Sequence, residues 1–216
     1  MPYPQLYDQV IEWIPPKSRV LDLGTGDGEF LERLIKAKRV AGEGVELDPE
    51  RVTRCIGRGL AVHQGDVMNG LDQYGNGAFD CVLLLGTFQE LKPSEKLVSE
   101  ALRVGRRLIV SYSNFGHIRA RWQMLLGGRT PVTDALPSPW YRTPNIHFFT
   151  ILDFQDFCRE MRLREVATAY FHRRGRVRWL GVVQILTSPV LAFLVPILLP
   201  LNSSMYRLLS LSVGLP

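Results

Sequence analysis

The chain has 216 residues, 46% of them hydrophobic, with 26 Lys and Arg against 21 Asp and Glu for a net charge of +5. That length holds one α/β domain with an adequate core plus one appendage, and three widely spaced cysteines, Cys55, Cys81 and Cys158, exclude a disulfide framework and a zinc site. The cationic excess, notably Arg103, Arg106, Arg107, Arg119, Arg121, Arg173, Arg174, Arg176 and Arg178, suits nucleic acid, an anionic membrane surface or an acidic partner; with no interleaved-aromatic RNA signature, nucleic acid is the disfavoured one.

The opening residues Met1 to Asp8 carry neither a basic segment nor an apolar one, so export is not expected and the domain is assigned to the cytoplasm. The stretch to Ile14 is amphipathic and reads as a helix stopped by Pro15 and Pro16. A buried strand over Arg19–Leu23 then runs into Gly24-Thr25-Gly26-Asp27-Gly28, and helical spacing follows over 29–38. Glycines at 24, 26 and 28 let the backbone turn sharply and approach a ligand with no Cβ in the way. The spacing is G-x-G-x-G, whereas a dinucleotide site uses G-x-G-x-x-G. Asp22, two places before the first glycine, repels a pyrophosphate and suits a cationic amino group. S-adenosylmethionine carries an ammonium and a sulfonium and no phosphate, and it is the expected cofactor.

Further strands are expected over 41–47, 60–63, 79–85 and 107–112, with helices over 50–58 and 94–103. Glu46 ends the second strand where a carboxylate can accept both ribose hydroxyls. Asp66 ends the third and suits the adenine amino group, with a helix cap as its alternative. Leu47, Val67 and Gly86 complete the expected lining. Asp48, before Pro49, reads as the N-cap of the next helix, and Asp80 as structural. The alternation implies a doubly wound, mostly parallel, Rossmann-like α/β sheet with its ligand crevice at the carboxyl ends of the strands.

Residues 113–150 break the pattern with Pro, Gly, Asn, His and aromatics, and are expected to form a lid over the cofactor. A helix over Ile151–Met161 and a strand near Glu165–Phe171 follow. Within the lid, Asn114-Phe115-Gly116-His117, Gly128-Arg129-Thr130-Pro131-Val132, Leu136-Pro137, Trp140-Tyr141, Thr143-Pro144-Asn145-Ile146-His147 and Thr150, together with Ala101–Arg107 before it, resemble the signature of the methionine biosynthesis protein MetW family. The resemblance covers about Val20 to Leu163 and lies within the class I S-adenosylmethionine-dependent methyltransferases.

The resemblance implies a methyltransferase fold linked to methionine synthesis, with a homoserine O-acyltransferase as partner in several members. It supplies no methyl acceptor. Should methyl transfer to a small-molecule acceptor occur, His117, His147 and Tyr141 are the acceptor-side candidates, with Asn145 as a hydrogen-bonding wall; the alternative for each His is a tie to the backbone. Thr25 stands where relatives carry Cys, and Ser138-Pro139 and Arg142 depart from the lid pattern. A non-catalytic regulatory subunit is the rival reading.

From Trp179 to Leu201 no residue is charged. That length can span a bilayer, and the preceding arginines match a cytoplasmic domain. Prolines 189, 196 and 200 oppose a clean lipid-facing helix, because each deletes a backbone donor. The expected organisation is a domain over 1–178 and a hydrophobic segment over 179–216, docked on protein and ending in a strand at Met205–Val213. Peripheral membrane contact, and with it a methyltransferase acting on a lipid or isoprenoid, is the alternative.

Overall fold

A computed structural model describes residues 4–92, 94–133, 136–172, 175–176 and 205–213. Apolar runs and amphipathic segments alternate, giving β1 (Arg19–Leu23), α2 (Glu29–Lys38), β2 (Ala41–Glu46), α3 (Pro49–Gly57), β3 (Ala61–Gln64), β4 (Cys81–Leu85), α4 (Ser94–Val104) and β5 (Leu108–Ser113), preceded by α1 (Pro4–Trp13). After β5 come α5 (Ile118–Gly127), α6 (Ile151–Glu160), β6 (Leu163–His172), β7 (Gly175–Arg176) and β8 (Met205–Val213).

The strands form one sheet in the order β3-β2-β1-β4-β5-β8-β6-β7. β1 pairs in parallel with β2 and β4, β2 with β3, and β4 with β5, while β8 runs antiparallel between β5 and β6. This is the mostly parallel, doubly wound sheet expected from the alternation. The chain leaves β1 in one direction across the sheet and resumes at β4 in the other, which opens a crevice at the carboxyl ends of these two strands.

Alternation along the central strands splits the core into two layers. Val20, Cys81, Leu83, Leu85 and Ile109 face α1 and α2, joined by Ala169 and Phe171 of β6. Leu21, Leu23, Val82, Leu84, Val110 and Tyr112 face α4 and α6. Tyr112 lies 4.9 Å from the Phe149 ring and 4.6 Å from Phe154, and these contacts fix the point where the excursion after β5 returns to the domain.

Three expectations shift. β4 begins at Cys81 because Phe79 makes only an isolated bridge to Gly105, and Asp80 accepts a hydrogen bond from Arg19 N at 2.8 Å. The segment 113–150 contains the helix α5, for which no periodicity was visible because Ala120 is its one buried residue. Met205–Val213, expected as a final strand, is an inner one, paired on both sides with β5 and β6. The uncharged stretch 179–201 lies outside the described residues. Among those described, no helix is long and apolar enough to cross a membrane.

Candidate functional site

A cleft of about 560 Å³ opens at the carboxyl ends of β1 and β4. Its walls include Asp22, Gly24, Thr25, Gly26, Glu46, Leu47, Asp66, Val67 and Gly86, nine of the ten residues expected to bind cofactor. The tenth, Gly28, does not line it. A Cβ at Gly28 would lie 2.4 Å from Leu60 Cδ1 and 2.9 Å from Cys55 Sγ, so this glycine serves the packing of α2 on α3. Gly26 differs: its φ is 61° and a Cβ there would meet no protein atom within 4 Å, because it would project into open space.

Glu46 staples the loop. Its Oε2 accepts from Gly26 N at 2.8 Å, and its Oε1 accepts from Leu47 N and Asp48 N, each at 3.0 Å. A carboxylate has about four acceptor positions, so these three bonds leave Oε2 room for one further donor. Two hydroxyls would require one backbone bond to yield. Asp48 caps α3 through Glu50 N at 2.9 Å, as its place before Pro49 implied. Asp66 both lines the cleft and accepts from Met68 N at 2.9 Å, so the capping alternative coexists with a cleft position.

Asp22 is buried beneath the loop and accepts from Thr25 Oγ1 at 2.8 Å. Burial pushes its carboxyl up to about 6; the Thr25 bond opposes the rise and the Glu46 charge adds to it. The remaining cleft carboxylates are Asp27, Glu29, Glu46, Asp66 and Glu90, against Arg51 as the one cation among the lining residues. Glu90 is also raised, mainly by burial. A site of this charge favours a cationic ligand and repels phosphates.

Tyr7, Phe30, Arg51, Thr87 and Glu90 also line the cleft and were missed from sequence. Tyr7 reaches it from α1, beside the buried Leu6 and Val10, with its ring centroid 4.7 Å from that of Phe30. Burial, then the charges of Asp22 and Glu29, pushes its phenol up to about 12, so it stays a hydrogen-bond donor at neutral pH. An aromatic on the edge of the apolar face of α1 was the available signal.

His117, His147 and Tyr141 do not line the cleft, and neither does any other described residue of 113–150. The segment is held beside the crevice. Gln89 Nε2 donates to Ser113 O at 3.1 Å and to His147 O at 3.4 Å, its Oε1 accepts from Ser113 N at 2.9 Å, and its backbone carbonyl accepts from Ile146 N and His147 N at 2.8 and 3.0 Å. His117 caps α5 by accepting from Arg119 N through Nδ1 at 3.3 Å. The Nε2 of His147 is buried and has no hydrogen-bond partner among the described residues. Tyr141 is 64% exposed, with the Arg142 guanidinium 5.5 Å from its ring centre. The acceptor-side candidates thus stand beside the cleft and apart from one another, with His147 tied to Gln89, His117 at the start of α5 and Tyr141 exposed.

The family model described as methionine biosynthesis protein MetW matches residues 5–194. The bifunctional methionine biosynthesis protein MetXA/MetW of Rhodopirellula baltica is 33% identical over 165 residues, 72% of this chain and 26% of that protein. The chain thus spans about a quarter of that relative. Among solved structures, an S-adenosylmethionine-dependent methyltransferase from Archaeoglobus fulgidus superposes with a TM-score of 0.63 at 15% identity, covering 96% of this chain and 93% of the other. The [4+2]-cyclase SpnF also gives 0.63 at 15% identity, covering 98% and 81%. These two likenesses show the fold, and between them they show that the fold does not fix the reaction.

Proposed function

This chain belongs to the MetW family of methionine biosynthesis proteins, and from that premise we propose that it binds S-adenosylmethionine in the acidic cleft and assists a homoserine O-acyltransferase. The observation that carries the cofactor reading is the cleft itself: six carboxylates and one cation around a loop whose Gly26 leaves space for a ligand. Asp22 and Tyr7 suit the methionine end, Glu46 a ribose hydroxyl, and the exposed Leu47 with Val67 the flat adenine. If a methyl group is transferred, the bound sulfonium supplies the electrophile, and these residues have only to orient it and exclude water.

Calorimetry tests the cofactor site. Glu46→Ala is expected to weaken S-adenosylmethionine binding by about 1.5–3 kcal/mol, roughly 10- to 150-fold, because it removes a charge-assisted acceptor and unties Gly26. Unchanged affinity removes Glu46 from the site.

The partner reading rests on the relative named for MetXA and MetW together and on the surface of 113–150. Nine of the thirteen exposed large hydrophobics among the described residues lie on this segment, among them Leu125 at 75%, Leu126 at 77% and Trp140 at 70% exposure. Replacing Trp140 and Tyr141 by Ala is expected to spare cofactor affinity and abolish co-purification with the acyltransferase, since buried aromatics dominate interface energies. Loss of cofactor binding in that variant would instead make the segment part of the cleft. Methyl transfer from labelled cofactor to acyltransferase or small molecules would establish the catalytic alternative.

A further inference from the structure

At the opposite end of the sheet, the amino-terminal ends of β1, β4 and β5 and the later half of β8 enclose a second cavity of about 360 Å³. It shares no residue with the cleft. Trp13, Pro15, Pro16 and Ile109 give it an apolar wall, and Lys17, Arg106 and Arg107 line it with cations. The one carboxylate lining it, Asp80, is already engaged: Oδ2 accepts from Arg19 N at 2.8 Å, and Oδ1 stands 4.0 Å from Arg106 Nη1. Among the described residues, no carboxylate lies within 4.0 Å of Lys17 or Arg107.

Three cations gathered on one cavity repel each other, and an anion between them relieves that repulsion. The turn presenting Lys17 is stiff. Two prolines fix its entry, Ser18 Oγ donates to Pro15 O at 2.7 Å, and Lys17 N donates to Lys38 O at 3.0 Å. Lys17 itself is held at φ 62°, a left-handed conformation that a lysine adopts only at a cost. A rigid cationic rim beside an indole and two pyrrolidine rings matches a ligand with charge at one end and an apolar or planar body at the other.

We propose that this cavity binds a small organic anion with two or more negative charges, seated on Lys17, Arg106 and Arg107, with its apolar or planar part against Trp13, Pro15 and Pro16. The shared chemistry covers phosphate-bearing and carboxylate-bearing metabolites. Calorimetric titration of the full chain with ADP and with phthalate, a planar dicarboxylate, at low salt separates the two sources. Saturable submillimolar binding of either is expected, weakened about tenfold by Lys17→Ala or Arg107→Ala. Both residues are exposed, so unfolding temperature should not move. Arg129→Ala, an exposed cation outside the cavity, is expected to leave the affinity unchanged, as is excess S-adenosylmethionine. No saturable binding at millimolar ADP or phthalate overturns the proposal. An Arg129→Ala loss as large as that of Arg107→Ala also overturns it, because the attraction would then belong to the net charge of the protein.

Discussion

Asp22→Asn is expected to make the protein more stable at neutral pH while stripping the cleft of its affinity for S-adenosylmethionine. The Asp22 carboxyl is raised from 3.8 to about 6, so the folded state holds its proton more tightly than the unfolded chain does. The stabilising effect of that proton is fully present below about 3.8 and is lost as pH rises to about 6. Above that, the ionised buried group costs roughly 3 kcal/mol. Asparagine removes the cost and keeps an acceptor for Thr25, though its buried amide needs a partner of its own, leaving a net gain of about 1–2 kcal/mol at pH 7.5. The gain should vanish below about pH 4. Binding runs the other way: wild-type affinity should climb as pH rises through about 6, because a cationic ligand selects the ionised carboxylate, and the variant should be weaker and flat. Thermal unfolding and calorimetry across this range check both halves. A variant that retains full affinity would show that the ligand cation sits elsewhere.

Gly26→Val and Gly28→Ala should separate binding from folding. At Gly26 the new side chain enters open cleft space, so the fold survives with about 1–2 kcal/mol of left-handed backbone strain and cofactor binding is abolished. At Gly28, φ is 74° and even one methyl collides with the buried Leu60 and Cys55, so a loss of about 2–4 kcal/mol in stability is expected. Chemical denaturation read beside calorimetry distinguishes them. If both variants lose stability equally, the open space at Gly26 is not a ligand channel.

How far these roles could be read from sequence depends on whether a residue acts through its neighbours in the chain or across the fold. β1, α2 and the Asp48 cap follow from adjacent residues, and the boundaries expected for β1 and α2 are the observed ones. Nine cleft residues were within reach because a parallel sheet delivers each strand end to one crevice. Tyr7 was not, since its position depends on how α1 crosses α2. Nor was the clasp at Gln89, an unremarkable polar residue in sequence that bonds partners 24 and 58 positions away. α5 escaped for a different reason. Its sides are almost all exposed, so it lacks the apolar stripe that betrays a helix, although His117 and Gly128 mark its two ends.

That clasp closes the excursion after β5 into a ring. Ser113 and His147 are both fastened to one buried residue, and the next residue, Glu90, is in the cleft wall. The entropy of a closed ring grows only logarithmically with its contour, so residues can be inserted at its far side for a few tenths of a kcal/mol while the join stays in register. The same join sets ring and crevice side by side, since Gln89 holds the one and its neighbour Glu90 lines the other. If a partner that seizes the ring were to shift Gln89 and so change the crevice's affinity for a ligand by some factor, that ligand would change the partner's hold on the ring by the same factor.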